Sequence, residues 1–309
     1  MSINLYRSKA NGNPASTPTN LMRALHTQLV LSGWTLVYAD VDALSGNTLA
    51  QGPLWNKVLA ASVSLGTVVY KMPAVAIPGV ASPTRWCLRI NLATQASANN
   101  VNYTATSGTD CDAGGVLTAA STAYALSAGT SNVSMTDWYV SAYEHGLLIA
   151  TFATQGAFLF HLERRRKLVS GDVLDDLTFN VGQSITTVAV FGAVSGNNWP
   201  SGASFTRSLT AESTASLWNI IKNSSGSAPA TMQINNGTSA TPVGPECTSP
   251  ERSGIPRLFQ VYSAGDIGVG VLQNIVADGA TRQYFTTSDA SYPPAGGLTV
   301  GYVWAFAAS

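Results

Sequence analysis

The stretch that most constrains the fold is Asp137–Lys167, DWYVSAYEHGLLIATFATQGAFLFHLERRRK, which is apolar over most of its length. It contains three runs rich in aromatic, aliphatic or small residues, namely Asp137–Tyr143, Leu147–Thr154 and Ala157–Leu162. A short break that contains glycine separates each run from the next. Short apolar runs with glycine at the breaks predict an antiparallel meander of three strands. Because the middle run is apolar throughout, a helix or a second sheet must cover at least one face.

A segment near the N-terminus has the pattern of a helix that would supply this cover. Thr17-Pro18 combines a hydroxyl N-cap with proline at the first helical position, and Gly33 follows the segment as a stop signal. One predicted face carries Leu21, Met22, Leu25 and Leu29. Trp34–Asp40 alternates in polarity and predicts a strand directly after the helix. His26 has no second His, Cys or acid at ligand spacing, so its predicted role is packing or surface exposure.

These patterns predict an α+β, β-rich fold. An N-terminal helix packs on an antiparallel sheet or meander, and a second β-rich, sandwich-like unit follows. The predicted organisation is a polar N-terminal arm over 1–16, the helix and antiparallel sheet over 17–191, and a β-rich C-terminal unit over 192–309. Within the second part, 93–134 is interpreted as a long polar insertion that decorates the surface or reaches a neighbouring subunit. Ligand binding and unrecognised strands are the alternatives for this insertion.

The charge content argues for protein partners rather than for nucleic acid or membrane. Charged residues make up 10% of the 309 residues, with 16 basic and 16 acidic side chains, against about 25% in an average protein. A neutral, charge-poor surface gives little attraction for nucleic acid or an anionic membrane. It favours association, because interface cores are depleted in charge. No secretory signal and no membrane-spanning run is recognisable, so we expect synthesis in a cytoplasm.

The cysteines and acidic pairs predict neither a metal site nor a cofactor. Cys87, Cys111 and Cys247 are odd in number and lack metal-ligand spacing, so they are expected to be free thiols in a reducing compartment. Asp110 and Asp112 flank Cys111, but one Asp-x-Asp pair is a weak metal signal.

The meander ends in a run of basic residues, Arg164, Arg165, Arg166 and Lys167, and three aspartates follow at 172, 175 and 176. Basic residues at a strand end with acids nearby predict a solvated or ion-paired sheet edge. Contact with an acidic partner, or with nucleic acid phosphate, is the alternative.

The search for catalytic motifs favours a non-enzymatic protein. The sequence contains no nucleophile elbow, phosphate loop or zinc-protease motif. Glu144 beside His145 is the nearest approach to an acid–base pair, but adjacent strand residues point to opposite faces. A hydrolase built on Asp137, Glu144 and Asp172 remains an alternative, because folding could bring these carboxylates together.

Several of these segments together resemble minor virion proteins of tailed bacteriophages. The resemblance rests on the helix that ends in Ser32-Gly33-Trp34, the Asp137-Trp138-Tyr139-Val140 strand with its meander, and the C-terminal segments Gly270–Val276 and Gly296–Phe306. It covers about half of the chain and leaves 93–134 unmatched. It implies a structural component of the neck, tail or baseplate, assembled with copies of itself and other virion proteins. No catalytic residue or cofactor carries over.

A receptor- or carbohydrate-binding module of a phage tail is the alternative function. Trp199, Tyr284 and Tyr292 are interpreted as exposed loop aromatics in a part of the chain rich in Gly, Pro and Ser. Exposed aromatic rings of this kind would stack on sugars.

Overall fold

The computed structural model of the protein has a β-rich α+β fold in which an N-terminal helix packs against antiparallel strands, so the predicted fold class is confirmed. The structure describes residues 3–12, 18–55, 64–92, 101–121, 123–128, 135–153, 156–166, 172–184, 204–207, 212–213, 218–219, 246–247, 258–263, 272–277, 280–288 and 302–308.

The described elements are two α-helices, a short 3-10 turn at Lys9–Asn11, and strands that span the chain. The helices are α1 (Pro18–Leu31) and α2 (Val41–Leu44). The strands are β1 (Asn4–Arg7), β2 (Thr35–Ala39), β3 (Gly66–Lys71), β4 (Cys87–Leu92), β5 (Val101–Gly108), β6 (Asp110–Cys111), β7 (Leu117–Thr118), β8 (Tyr124–Ala128), β9 (Met135–Tyr143), β10 (Gly146–Ala153), β11 (Gly156–Arg166), β12 (Val173–Ser184), β13 (Ser204–Arg207), β14 (Glu212–Ser213), β15 (Trp218–Asn219), β16 (Glu246–Cys247), β17 (Phe259–Ser263), β18 (Leu272–Ala277), β19 (Ala280–Ser288) and β20 (Tyr302–Ala307).

Two compact units divide the chain. One unit contains Met1–His145 with Ile149–Ala153, and the other contains Gly146–Leu148 with Thr154–Ser309. The sequence-based boundary at residue 192 lies outside the described residues.

Helix α1 follows the predicted pattern. It begins at Pro18 and buries Leu21, Met22, Leu25 and Leu29. It packs on β1, β2 and β9. Gly33 ends it in the left-handed conformation, with φ of 82°, and the Gly33 N–H donates to the Val30 carbonyl at 3.0 Å. The aliphatic face of α1 therefore supplies the cover that was predicted for the apolar strands.

The first strand corrects the predicted polar arm of residues 1–16. Strand β1 pairs antiparallel with β9, with Leu5 opposite Ser141. The Tyr6 ring stacks on Trp138 with the ring centroids 4.9 Å apart, and the Trp138 N–H donates to Ser8 Oγ at 3.0 Å. Residues 4–7 are therefore part of a sheet, because backbone pairing and one aromatic contact hold a segment whose composition is mostly polar.

The predicted meander is confirmed. Its strands β9, β10 and β11 lie next to one another in a seven-stranded sheet of order β1-β9-β10-β11-β12-β13-β14. The pairing of β11 with β12 is antiparallel and contains an irregularity between Arg164 and Arg166. A bulge of this kind changes the direction in which nearby side chains point.

The second sheet corrects the interpretation of residues 93–134 as a polar insertion loop. Its order is β2-β3-β4-β5-β8, so two of its five strands come from this segment. In β5, Tyr103, Ala105 and Ser107 are buried. The Ser107 N–H donates to Ser121 Oγ at 3.0 Å, and the Ser121 N–H donates to the Ser107 carbonyl at 2.8 Å. Small polar side chains that hydrogen-bond to the backbone fill this part of the sheet. Of the alternatives for residues 93–134, unrecognised strands is therefore the correct one.

Asp40 connects β2, α2 and β3 through three backbone N–H groups. Its Oδ1 accepts from Asp42 and Ala43 at 3.1 and 2.9 Å, which caps the start of α2. Its Oδ2 accepts from Thr67 at 2.8 Å. Gly66 packs against this cap with φ of 94°, and a Cβ there would lie 2.2 Å from Asp40 Oδ1. The close approach therefore requires glycine.

The last part of the chain forms a four-stranded antiparallel sheet of order β17-β20-β19-β18. Its four strands lie within the part of the chain, 192–309, that was predicted to be β-rich. Strand β19 is central, with Tyr284 opposite Gln273 on one side and Ala307 on the other. Strand β18 lies at one end of the sheet.

Candidate functional site

Within the described part of the chain, edge strand β18 lacks three of the features that protect sheet edges from pairing with another chain, namely charge, proline and a bulge. Its sequence, LQNIVA, contains neither a charged residue nor proline. Its register with β19 runs without a shift from Leu272 opposite Phe285 to Ala277 opposite Ala280. The Leu272 side chain is 52% exposed, and Asn274 is also exposed. Natural edge strands are usually blunted by charge, proline, a bulge or a covering segment. Among the described residues, this edge has the chemistry of a β-augmentation surface.

Of the basic run 164–167, the structure describes the side chain of Arg164 alone. Arg164 is fully buried, and its guanidinium forms an ion pair with Asp175, whose side chain is 9% exposed. Arg165 and Arg166 lie in β11, and Lys167 lies outside the described residues. The predicted ion pair is present at Arg164, but β11 is an interior strand, so the predicted sheet edge is wrong at this residue. The alternative of a partner contact is also wrong there, because the guanidinium is buried.

A second buried polar pair, His161 and Glu163, lies on β11 just before Arg164. His161 Nε2 is 2.7 Å from Glu163 Oε2, and both side chains are almost fully buried. Positions i and i+2 of a strand share a face, so the segment His161-Leu162-Glu163 already indicates that these two side chains lie next to each other. The pair was not predicted, because nothing in the sequence indicates that both faces of this strand end are covered.

Glu144 and His145 contact each other, although the strand geometry predicted opposite faces. Glu144 Oε1 lies 3.3 Å from His145 Nε2, because the two residues form the turn between β9 and β10 rather than a strand. His145 is only 3% exposed, and its ring packs edge-on to Tyr143 with centroids 5.6 Å apart. A general base must reach its substrate, and the burial of this imidazole gives it a packing role. The side chain of Asp137 is not among those described, and Asp172 is half-buried.

The aromatic residues proposed for sugar stacking are corrected at the one described position. Tyr284 is fully buried, so its ring offers no exposed face for a sugar. Trp199 and Tyr292 lie outside the described residues.

His26 has the predicted packing role. Its Nδ1 lies 3.0 Å from the Tyr70 hydroxyl, and its ring meets Trp55 at an angle of 67°. Burial lowers the pKa of His26 and raises the pKa of Tyr70. Both shifts have the same cause, since burial disfavours the charged form of each group.

The stability of the protein is expected to decrease as the pH falls below about 6.5, the ordinary pKa of histidine. Because the pKa of His26 is lower in the folded state, the unfolded chain binds more protons between the two pKa values, and the free energy of unfolding rises with pH there. Above that window the contribution is complete. Urea titrations of the wild type and His26→Gln at about pH 7.5 and about pH 5.5 measure it. The variant should lose less stability on acidification, and equal losses would contradict this role for His26.

Cys87 and Cys111 are joined by a disulfide, with Cα atoms 6.2 Å apart. The expectation of free thiols is therefore wrong for these two residues, because the fold brings a sheet strand and a distant hairpin together. Asp110, next to Cys111, forms an ion pair with Lys71. The hydrogen bond from Lys71 and that from the Cys111 N–H lower the pKa of the Asp110 carboxyl. The two sulfurs and an Asp110 oxygen lie within 4.8 Å of one another.

Asp112, the second acid of the Asp-x-Asp pair, forms hydrogen bonds with backbone N–H groups of its own hairpin. Its Oδ1 accepts from the N–H groups of Gly114 and Val116, both at 2.9 Å. This carboxylate therefore closes the tip of the β6–β7 hairpin.

No protein-family model matches the chain, and neither does any curated protein. Within the described part of the chain, no helix has the length and apolar character needed to cross a membrane.

Proposed function

We propose that the chain is a non-enzymatic structural protein of a tailed-bacteriophage particle, in the neck, tail or baseplate. It assembles with copies of itself and with other virion proteins after synthesis in the host cytoplasm. The observation that carries this proposal is the uncharged, regular edge of β18 with its exposed Leu272. Five of the six residues of β18, Leu272–Val276, lie in one of the segments, Gly270–Val276, on which the resemblance to virion proteins rests.

Composition supports assembly through such an edge. A net charge of zero and a charged fraction of 10% leave little electrostatic repulsion between copies. Backbone hydrogen bonds along an added strand supply affinity, and alternate side chains supply specificity. The same low charge disfavours nucleic acid as the principal partner.

Lysine substitutions on β18 are expected to prevent self-association. Leu272→Lys combined with Asn274→Lys places two positive charges at the edge, where they oppose pairing with a second β18. Light scattering on a gel-filtration column, at several concentrations, should give an oligomer for the wild type and a monomer for the variant.

Leu49→Lys is the matched control, because Leu49 is also an exposed leucine, 40% accessible, but lies in a loop of the other unit. This variant should assemble like the wild type. A wild type that stays monomeric at every concentration, or an edge variant that assembles normally, would contradict assembly of copies through β18.

A further inference from the structure

The hairpin formed by β6 and β7 is held on the five-stranded sheet by a small apolar contact. Leu117 packs with Val69 and Cys87, and Tyr38 and Cys111 pack against this cluster. A Cβ on Gly108 would lie 2.9 Å from Leu117 Cβ, so glycine there permits the hairpin to approach. The cluster is small, and a covalent bond adds to what holds the hairpin in place.

The Cys87–Cys111 disulfide is this covalent bond, and its two cysteine residues are unequally exposed to solvent. Cys87 is 1% exposed, whereas Cys111 is half-buried and lies at the end of β6 near the hairpin tip. A small thiolate from solution therefore reaches the Cys111 sulfur first, and the Cys87 sulfur is the leaving group.

A lysine lies beside the position where the leaving thiolate forms, and it is paired there with the Asp110 carboxylate. Lys71 lies directly opposite Cys87 in the β3–β4 register, and opposite residues of antiparallel strands share a face with their Cβ atoms about 5 Å apart. Arg85 is close enough to Asp110 to act on it electrostatically. Neighbouring lysine or arginine stabilises a thiolate and marks cysteines that exchange.

We propose that Cys87–Cys111 is a thiol–disulfide exchange site that controls whether the β6–β7 hairpin is clasped to the sheet. A thiolate attacks Cys111 Sγ and forms a mixed disulfide, and Cys87 leaves as a thiolate that takes a proton. A second thiol then attacks the small-molecule sulfur of the mixed disulfide and releases Cys111 as a thiol. The protein gains two electrons and two protons, and two small thiols leave as one disulfide. The pair is reduced in a cytoplasm and oxidised outside it.

The experiment equilibrates the folded protein, with Cys247→Ser to remove the third thiol, in mixtures of reduced and oxidised glutathione. Free thiols are trapped by alkylation and located by peptide mass spectrometry. At a cytosolic ratio we expect Cys87 and Cys111 to become alkylated together without denaturant. A pair that stays oxidised at that ratio until the protein is unfolded is a static structural disulfide, and this result would overturn the proposal.

Hydrogen exchange provides a second measurement on the same samples. The amides of Thr109 and Asp112 donate to Thr118 and Val116 across the hairpin at 3.0 and 3.1 Å. Their exchange should accelerate on reduction by on the order of 100-fold, the factor expected for opening a loop of this size. Unchanged exchange would show that the bond does not control the hairpin.

Lys71→Gln tests the chemistry at the leaving sulfur, because it should slow reduction by glutathione several-fold while Lys9→Gln, an exposed lysine on the 3-10 turn, should not. Equal rates in the two variants would contradict the role of Lys71.

Addition of Co²⁺ to the reduced protein tests whether the two cysteines and Asp110 bind a metal ion instead of exchanging thiols. Stoichiometric binding with a thiolate-to-metal absorption band that is lost in Asp110→Asn would make the triad of Cys87, Cys111 and Asp110 a metal site instead.

Discussion

Replacement of Asp175 by alanine is expected to destabilise β11 and β12 by about 3–5 kcal/mol. The Arg164 guanidinium is fully buried, and the Asp175 carboxylate is its ion-pair partner at the bulge between the two strands. Removal of the carboxylate leaves a buried positive charge without this partner, and the desolvation of that charge is then poorly compensated. Hydrogen exchange of the β11 and β12 amides measures the loss locally, which suits a chain of two compact units.

The double variant Arg164→Met with Asp175→Leu is the control. It removes both charges and keeps similar volume, so it should recover most of the lost stability. A loss below about 1 kcal/mol in Asp175→Ala, the value typical of a surface pair, would show that the ion pair does not stabilise the sheet. Failure of the double variant to recover stability would assign the effect to packing around Asp175.

Replacement of Gly66 by alanine is expected to cost about 3 kcal/mol or more. The left-handed backbone, φ 94°, costs an alanine about 1–2 kcal/mol. The new Cβ would lie 2.5 Å from the backbone nitrogen of Ala43 and closer still to Asp40 Oδ1. Relief of this overlap would disrupt the Asp40 cap of α2, which is typically worth about 1 kcal/mol. Urea denaturation followed by tryptophan fluorescence measures the change.

Gly46→Ala separates backbone strain from steric overlap. Gly46 has nearly the same φ, 98°, and no described atom lies within 4 Å of its ideal Cβ position. It should therefore cost only about 1–2 kcal/mol. Similar losses in both variants would show that the contact between Gly66 and Asp40 adds nothing to stability.

The parts of the fold that could be predicted from the sequence are those encoded by local periodicity. Helix α1 has an aliphatic face at regular spacing and a glycine stop. The meander strands and the four strands of the last sheet are apolar or alternating runs separated by glycine or proline. These signals need no knowledge of distant residues.

The missed elements depend on pairing between distant segments. Strand β5, VNYTATSG, is polar in composition, and it is a strand because β4 and β8 pair with its two sides. Strand β1 depends in the same way on β9. Hydrogen bonds to neighbouring strands can place serine and threonine in a sheet interior, where composition alone predicts a loop.

The features of the candidate sites were still less accessible from sequence. The disulfide joins residues 24 positions apart, and no cysteine spacing predicts it. The Arg164–Asp175 pair lies beside a register shift, and the burial of Tyr284 depends on what packs on its face of the sheet. Such facts follow from register and sheet order, which a single sequence does not specify.

The most direct test of the proposed function is quantitative mass spectrometry of phage particles purified from cultures that produce the chain. We expect peptides from both compact units in the particle fraction, at a fixed copy number relative to the major structural proteins. We also expect loss of the chain from particles that carry Leu272→Lys with Asn274→Lys. Recovery of the chain only from the particle-free soluble fraction would contradict a structural role in the virion.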